Sequence, residues 1–65
     1  MIIKMNNLYG HEDSVAYYRK NGDCFDFSWS IEYASDLTKE EANKIMEHEE
    51  FYCKQYGASS LEIVE

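Results

Sequence analysis

The sequence predicts an α+β fold in the order β-β-β-α-β. An antiparallel meander, one long helix and a C-terminal strand make a four-stranded sheet with the helix on one face. Three observations predict it. Lys20-Asn21-Gly22-Asp23 has the composition of a two-residue hairpin turn, the residues after it alternate apolar and polar, and Thr38-Lys39-Glu40-Glu41 opens a helix with a capping box. At 65 residues the chain is a single small domain, 1–65, below the length at which one core is comfortable without help.

The hairpin comes first because it sets the register. Asn-Gly at the two central positions of a turn supplies the positive φ angles that type I′ geometry needs. Behind it, Phe25, Phe27, Trp29, Ile31 and Tyr33 alternate with Cys24, Asp26, Ser28, Ser30 and Glu32, the period of a long half-buried strand. A two-residue loop at Asn21-Gly22 places Lys20 opposite Asp23, Tyr18 opposite Phe25, Ala16 opposite Phe27 and Ser14 opposite Trp29. One face of the pair is aromatic. The other carries Val15, Tyr17, Arg19, Cys24, Asp26 and Ser28, as suits a sheet covered on one side.

The helix has both of its ends written in the sequence. Thr38 is the N-cap and Glu41 reaches back to its N–H, while Gly57 offers a left-handed stop. Between them Ala42, Ile45, Met46, Tyr52, Cys53 and Tyr56 fall on one apolar stripe. The remaining strands lie at the ends. Ile2 to Tyr9 reads as the first, and Ser60 to Val64 as the last, with Leu61 and Ile63 turned inward. A single crossover helix then returns the last strand parallel to the first and beside it.

Composition narrows the function. Thirteen acidic against six basic residues give a net charge of −7, which argues against nucleic-acid phosphates and anionic membranes as partners and admits cationic protein surfaces. No apolar run approaches the length of a membrane span. Met1-Ile2-Ile3-Lys4 lacks the organisation of a signal peptide, so the expected compartment is the cytoplasm. There, Cys24 and Cys53 are expected as reduced thiols.

Catalytic patterns are missing. The three glycines, Gly10, Gly22 and Gly57, are isolated turn or cap residues, and neither a phosphate loop nor a G-x-S-x-G elbow is present. No C-x-x-C, H-x-x-x-H or calcium-loop spacing points to a metal, and no cofactor is expected. The chain is read as a non-enzyme.

Two helix residues break the pattern. Glu49 falls in the middle of the apolar stripe, where a carboxylate is costly unless it is hydrogen-bonded or paired. Either the stripe opens toward solvent there or a tyrosine hydroxyl satisfies it; the functional alternatives are a polar site at the helix–sheet seam and a charge presented to a partner. Phe51 points the other way, among Glu40, Lys44, Glu47 and Lys54. Aromatic residues so placed are enriched in binding hot spots. The candidate partner-binding residues are therefore Glu40, Glu47, Glu50 and Phe51 on the outer helix face, with Tyr17 and Asp26 on the uncovered sheet face. That uncovered sheet also invites a homodimer. The acidic placement, interrupted by Lys39, Lys44 and Lys54, would make a partial mimic of nucleic-acid phosphates that competes for a basic groove.

The capped helix Leu37-Thr38-Lys39-Glu40-Glu41-Ala42-Asn43-Lys44-Ile45-Met46 is followed by Gly57 and the short strand Leu61-Glu62-Ile63-Val64. It is preceded by an aromatic hairpin and set in a strongly acidic chain. In this the protein resembles the very small acidic proteins encoded by bacteriophages and mobile elements, anti-CRISPR proteins and other inhibitors of bacterial defence among them. The resemblance implies a non-catalytic protein that binds and blocks a larger bacterial machine. A different class, a dimeric protein that binds or sequesters a small ligand such as a signalling nucleotide, is the alternative. Arg19, Lys20 and Lys4 are its only basic residues near the sheet.

Overall fold

The computed structural model describes residues 1–22 and 24–64. Along the chain run β1 (Ile3–Asn6), β2 (Val15–Asn21), β3 (Cys24–Ser28), α1 (Lys39–Glu47), α2 (Glu49–Tyr56) and β4 (Ser60–Ile63), with 3₁₀ turns at Leu8–Gly10 and Ile31–Tyr33. The strands form one antiparallel sheet in the order β3-β2-β1-β4. The α+β class and the position of the last strand beside the first are as the sequence predicts.

Several details differ, each for a physical reason. The hairpin turn sits one residue later, because Asn21 pairs with Cys24 and Gly22 takes the first central position at φ +63°. The register therefore moves by two: Tyr18 faces Phe27, Lys20 faces Phe25, and Tyr17 rather than Val15 lies opposite Ser28. A shift of two preserves which face each side chain uses, so the alternation alone could not distinguish the registers. Asp23, the expected partner of Lys20, lies outside the described residues, as do the side chains of Asn21, Cys24 and Phe25.

The long third strand stops early. The Ser28 hydroxyl accepts from the Ser30 N–H (3.2 Å), and the Ser30 hydroxyl accepts from the Glu32 N–H (3.3 Å). Such local bonds offer the backbone an alternative to the ladder, and the chain turns into Ile31–Tyr33 instead of continuing as strand. The first strand likewise ends at Asn6. Asn7 and Tyr9 both take left-handed backbone angles, and the end of the expected strand gives way to the 3₁₀ turn Leu8–Gly10.

The last strand runs antiparallel to β1, not parallel, with Met5 opposite Leu61 and Ile3 opposite Ile63. The cause is the segment after β3. Ser35 donates to the Tyr18 carbonyl and accepts from the Lys20 N–H, and the Leu37 N–H donates to the Met1 carbonyl. Residues 29–37 thus carry the chain back to the start of β1 before the helix begins. The helices then return it to the far end, and β4 has to descend against β1.

The single long helix is two helices. The capping box at Thr38 forms in full, and Gly57 ends α2 at φ +63° with its N–H on the Cys53 carbonyl. Between them His48 leaves helical geometry (φ −108°, ψ 25°), and its N–H reaches the Ile45 carbonyl. Both helices lie on one face of the sheet. Ile3, Met5, Leu8, Ala16, Tyr18, Leu37, Ala42 and Leu61 are buried there, and Ile45, Met46, Tyr52, Cys53 and Tyr56 pack against them. Ile63, expected to face the core, is largely exposed near the end of β4.

Candidate interaction surfaces

The outer helix face carries four of the six residues selected from sequence. Glu40, Glu47, Glu50 and Phe51 are all exposed, with Phe51 at 63%. Glu47, His48, Glu50, Phe51 and Lys54 line a shallow open depression of about 350 Å³. Phe51 is braced edge-on by Tyr52 at 5.4 Å between ring centroids. Glu40 lies two turns before Glu47 on α1. Where α1 and α2 meet at the His48 break, acidic and aromatic groups therefore gather around one concavity.

Tyr17 and Asp26 occupy the sheet face turned away from the helices, so they belong to a different surface. Both are half-buried. The Asp26 carboxylate accepts from the Phe27 N–H at 2.8 Å, so one of its oxygens is committed to its own strand. Arg19, opposite Asp26 in the ladder, instead stacks over the Tyr33 ring at 5.9 Å. Lys4 and Glu62 pair at 2.7 Å on the same face. Their mutual hydrogen bond holds the lysine above its ordinary pKa and the carboxyl below its own.

Glu49 finds a backbone partner on β4. Its carboxylate accepts from the Leu61 backbone N–H at 2.8 Å. Val64 donates to Ile2, and in an antiparallel ladder the alternation then turns the Leu61 N–H away from β1, toward the open edge of β4. Glu49 thus supplies an acceptor that no neighbouring strand provides. A second shallow depression of about 510 Å³ lies beside it, lined by Glu49, Glu50, Cys53, Lys54, Ala58 and Ser59. Burial, and then the Glu49 carboxylate, push the Cys53 thiol above its ordinary pKa, which disfavours the thiolate a nucleophile needs. Among the described residues, no group of three or more His, Cys, Asp and Glu side chains is placed to hold a metal. None of the described helices is long and apolar enough to cross a membrane.

The sequence reading missed a third surface. Among the described residues, three rings meet Phe27: Tyr56 at 5.4 Å, Trp29 at 5.5 Å and Tyr9 at 6.3 Å, all edge-to-face. Phe27 and Tyr56 are half-buried, but Tyr9 and Trp29 are 58% and 60% exposed. Tyr9 reaches its place through a left-handed backbone (φ 53°, ψ 27°), a conformation that costs a non-glycine residue about 1–2 kcal/mol. Tertiary contacts hold it there. Gly10 donates to the Gly57 carbonyl, Asn7 donates to the Ser59 hydroxyl, and Asn7 also accepts from the Asp13 N–H. The one signal available in sequence was the pair of serines around Trp29, whose local bonds end β3 and free the indole from the core.

No family model, curated protein or solved structure matches this chain.

Proposed function

We propose that the chain is a non-catalytic cytoplasmic interaction protein, an inhibitor of phage or mobile-element type in the manner of anti-CRISPR proteins. It binds a basic surface on a larger bacterial nucleic-acid-handling or defence complex. The observation that carries this reading is Phe51 standing exposed beside Glu47 and Glu50, an aromatic anchor within an acidic frame. A cationic protein groove complements that arrangement in charge, while a nucleic acid would be repelled by it. The reading does not require a homodimer. The outer sheet face carries Lys4, Arg19, Asp26 and Glu62, and offers a second copy charged groups in place of an apolar seam. Nor does it favour a small anionic ligand, since Glu49 and Glu50 line the larger depression.

Affinity capture from a bacterial lysate tests the proposal. A partner retained at about 50 mM salt should wash off by about 500 mM, as screening weakens exposed charge pairs. The Glu40→Lys, Glu47→Lys double variant should weaken binding to that partner by at least about tenfold, and Phe51→Ala should do so by a similar factor. Binding unchanged by these variants, or insensitive to ionic strength, would remove the electrostatic basis of the proposal.

A further inference from the structure

We infer that β4 is guarded against pairing with the β4 of a second copy, by two carboxylates that act in different ways. Glu49 occupies the amide that such a pairing would use, and Glu62 sets a like charge at the point where the two strands would cross. The inference concerns the sheet edge and holds whether or not the helix face binds a basic partner.

β4 is an outer strand, and among the described residues no strand lies on its far side. Val64 donates to Ile2, so Glu62 and Ser60 share that direction, while Leu61 and Ile63 turn their N–H and C=O groups outward. A row of outward amides is a template for another strand, and this one is bordered by exposed apolar side chains, Ile63 and Val64. Two such edges brought together antiparallel form the most hydrogen bonds when Leu61 of each copy faces Ile63 of the other. That register would also remove the exposed Ile63 side chain from water.

The first carboxylate acts on the backbone. The Glu49 Oε2 accepts from the Leu61 N–H at 2.8 Å, where the carbonyl of an incoming strand would have to lie. Pairing would exchange a charged acceptor for a neutral one, and hydrogen bonds to charged groups are the stronger kind. The second carboxylate acts at the centre of the seam. In the Leu61–Ile63 register, Glu62 faces its own counterpart across the two-fold axis as a non-hydrogen-bonded pair, the closer of the two kinds. Like charges directly opposite destabilise a sheet. Lys4 pairs with Glu62 at 2.7 Å, but Lys4 stands on β1, so the negative member of each ion pair lies nearer the seam.

The test compares two double variants of the full chain, Glu49→Ala with Glu62→Thr and Glu49→Gln with Glu62→Thr. They carry the same net charge and differ in whether position 49 offers an oxygen to the Leu61 N–H. In sedimentation velocity the alanine variant should self-associate at least about tenfold more tightly than the glutamine variant. Its Leu61 and Ile63 amides, followed by NMR, should gain exchange protection as protein rises from about 10 to about 500 μM. In the unchanged chain their exchange should not depend on concentration. Glu49→Ala alone, which keeps Glu62, should associate at least about threefold more weakly than the alanine double variant.

Equal association of the two double variants, association without protection of those amides, or no association at all would overturn the inference. So would concentration-dependent protection of Leu61 and Ile63 in the unchanged chain. Far-UV circular dichroism establishes that each variant is folded. If the alanine double variant is not, Glu49→Leu with Glu62→Thr, which restores side-chain bulk without an acceptor, decides the outcome.

Discussion

Gly57 and Gly22 share a φ of +63° but not a neighbourhood. A Cβ on Gly57 would stand 2.9 Å from the Tyr9 Cα, whereas one on Gly22 meets nothing within 4 Å. Gly22→Ala should therefore cost about 1 kcal/mol, the left-handed penalty alone, and Gly57→Ala at least about 2 kcal/mol because backbone must also move. Urea denaturation of the two variants checks the difference. Tyr9 is the reverse case. Tyr9→Gly relieves a strained φ and gives up a ring contact, so stability should change by less than about 1 kcal/mol. At this scale the sequence is legible where a residue type carries its own geometry. Gly57 reads as a helix stop from its neighbours alone. Tyr9 does not, because its conformation is imposed by contacts with Gly57 and Ser59, some fifty residues away, against its own preference.

Between elements, the recurring device is a carboxylate on a strand amide. Glu49 takes the Leu61 N–H on β4, and Asp26 takes the Phe27 N–H on β3, the two outer strands of the sheet. Unpaired edge amides are templates for association, and an acceptor with negative charge blocks them. Glu49→Ala should cost about 1.5–3 kcal/mol, the range for hydrogen bonds to charged groups. Exchange of the Leu61 amide, followed by NMR under native conditions, should accelerate at least about tenfold, more than that of Met5 at the centre of the sheet. Thr38→Ala, which removes half of the capping box, should cost about 1 kcal/mol on the same denaturation assay. The helix caps were readable because they are local. The oddity of Glu49 was readable too, but its partner was not, since reading the Leu61 amide requires knowing which way β4 runs. That direction depends on residues 29–37, whose route is set by backbone bonds to Tyr18, Lys20 and Met1 with no periodic pattern of their own.

Across the molecule, the charge of −7 acts on stability and on binding with opposite signs. Like charges repel one another in the folded chain, so raising salt to about 0.3 M should raise the thermal midpoint even as it weakens binding to a basic partner. The pH dependence follows from the few groups that shift on folding. Bonds with Thr38 hold the Glu41 carboxyl below its ordinary pKa, and those with Lys4 and Asn6 do the same for Glu62. A carboxyl lowered in the folded state contributes stability above the ordinary range near about 4.3, and that contribution fades as the pH falls through the folded value. Lys4, raised in the folded state, contributes below about 10.4 and loses its part as the pH climbs beyond. Burial raises the Cys53 thiol and the Tyr18 hydroxyl, so the unfolded chain releases those protons first and stability falls above about pH 8.5. Stability should therefore be level between about pH 5 and 8, with an acid limb that is shallower in the Glu41→Gln, Glu62→Gln double variant. Thermal melts from about pH 2 to 7 test this. These groups are exposed, so the limb should shrink further in salt.

The place of β1 in the sheet bears on how the chain reaches its fold. This four-residue strand lies between β2 and β4, and its Ile3 is paired with Ile63. The interior of the sheet is thus closed by a contact spanning nearly the whole chain, while the local hairpin and the capped helix can form early but find little to pack on. Loop closure over such a span has to precede the contacts that compensate it, which slows folding relative to a helical bundle of equal size. During synthesis the nascent chain would carry Ile3, Met5 and Leu8 unburied until the last strand is made. For a protein with so small a core, that interval is its period of greatest exposure to proteases and to its own copies.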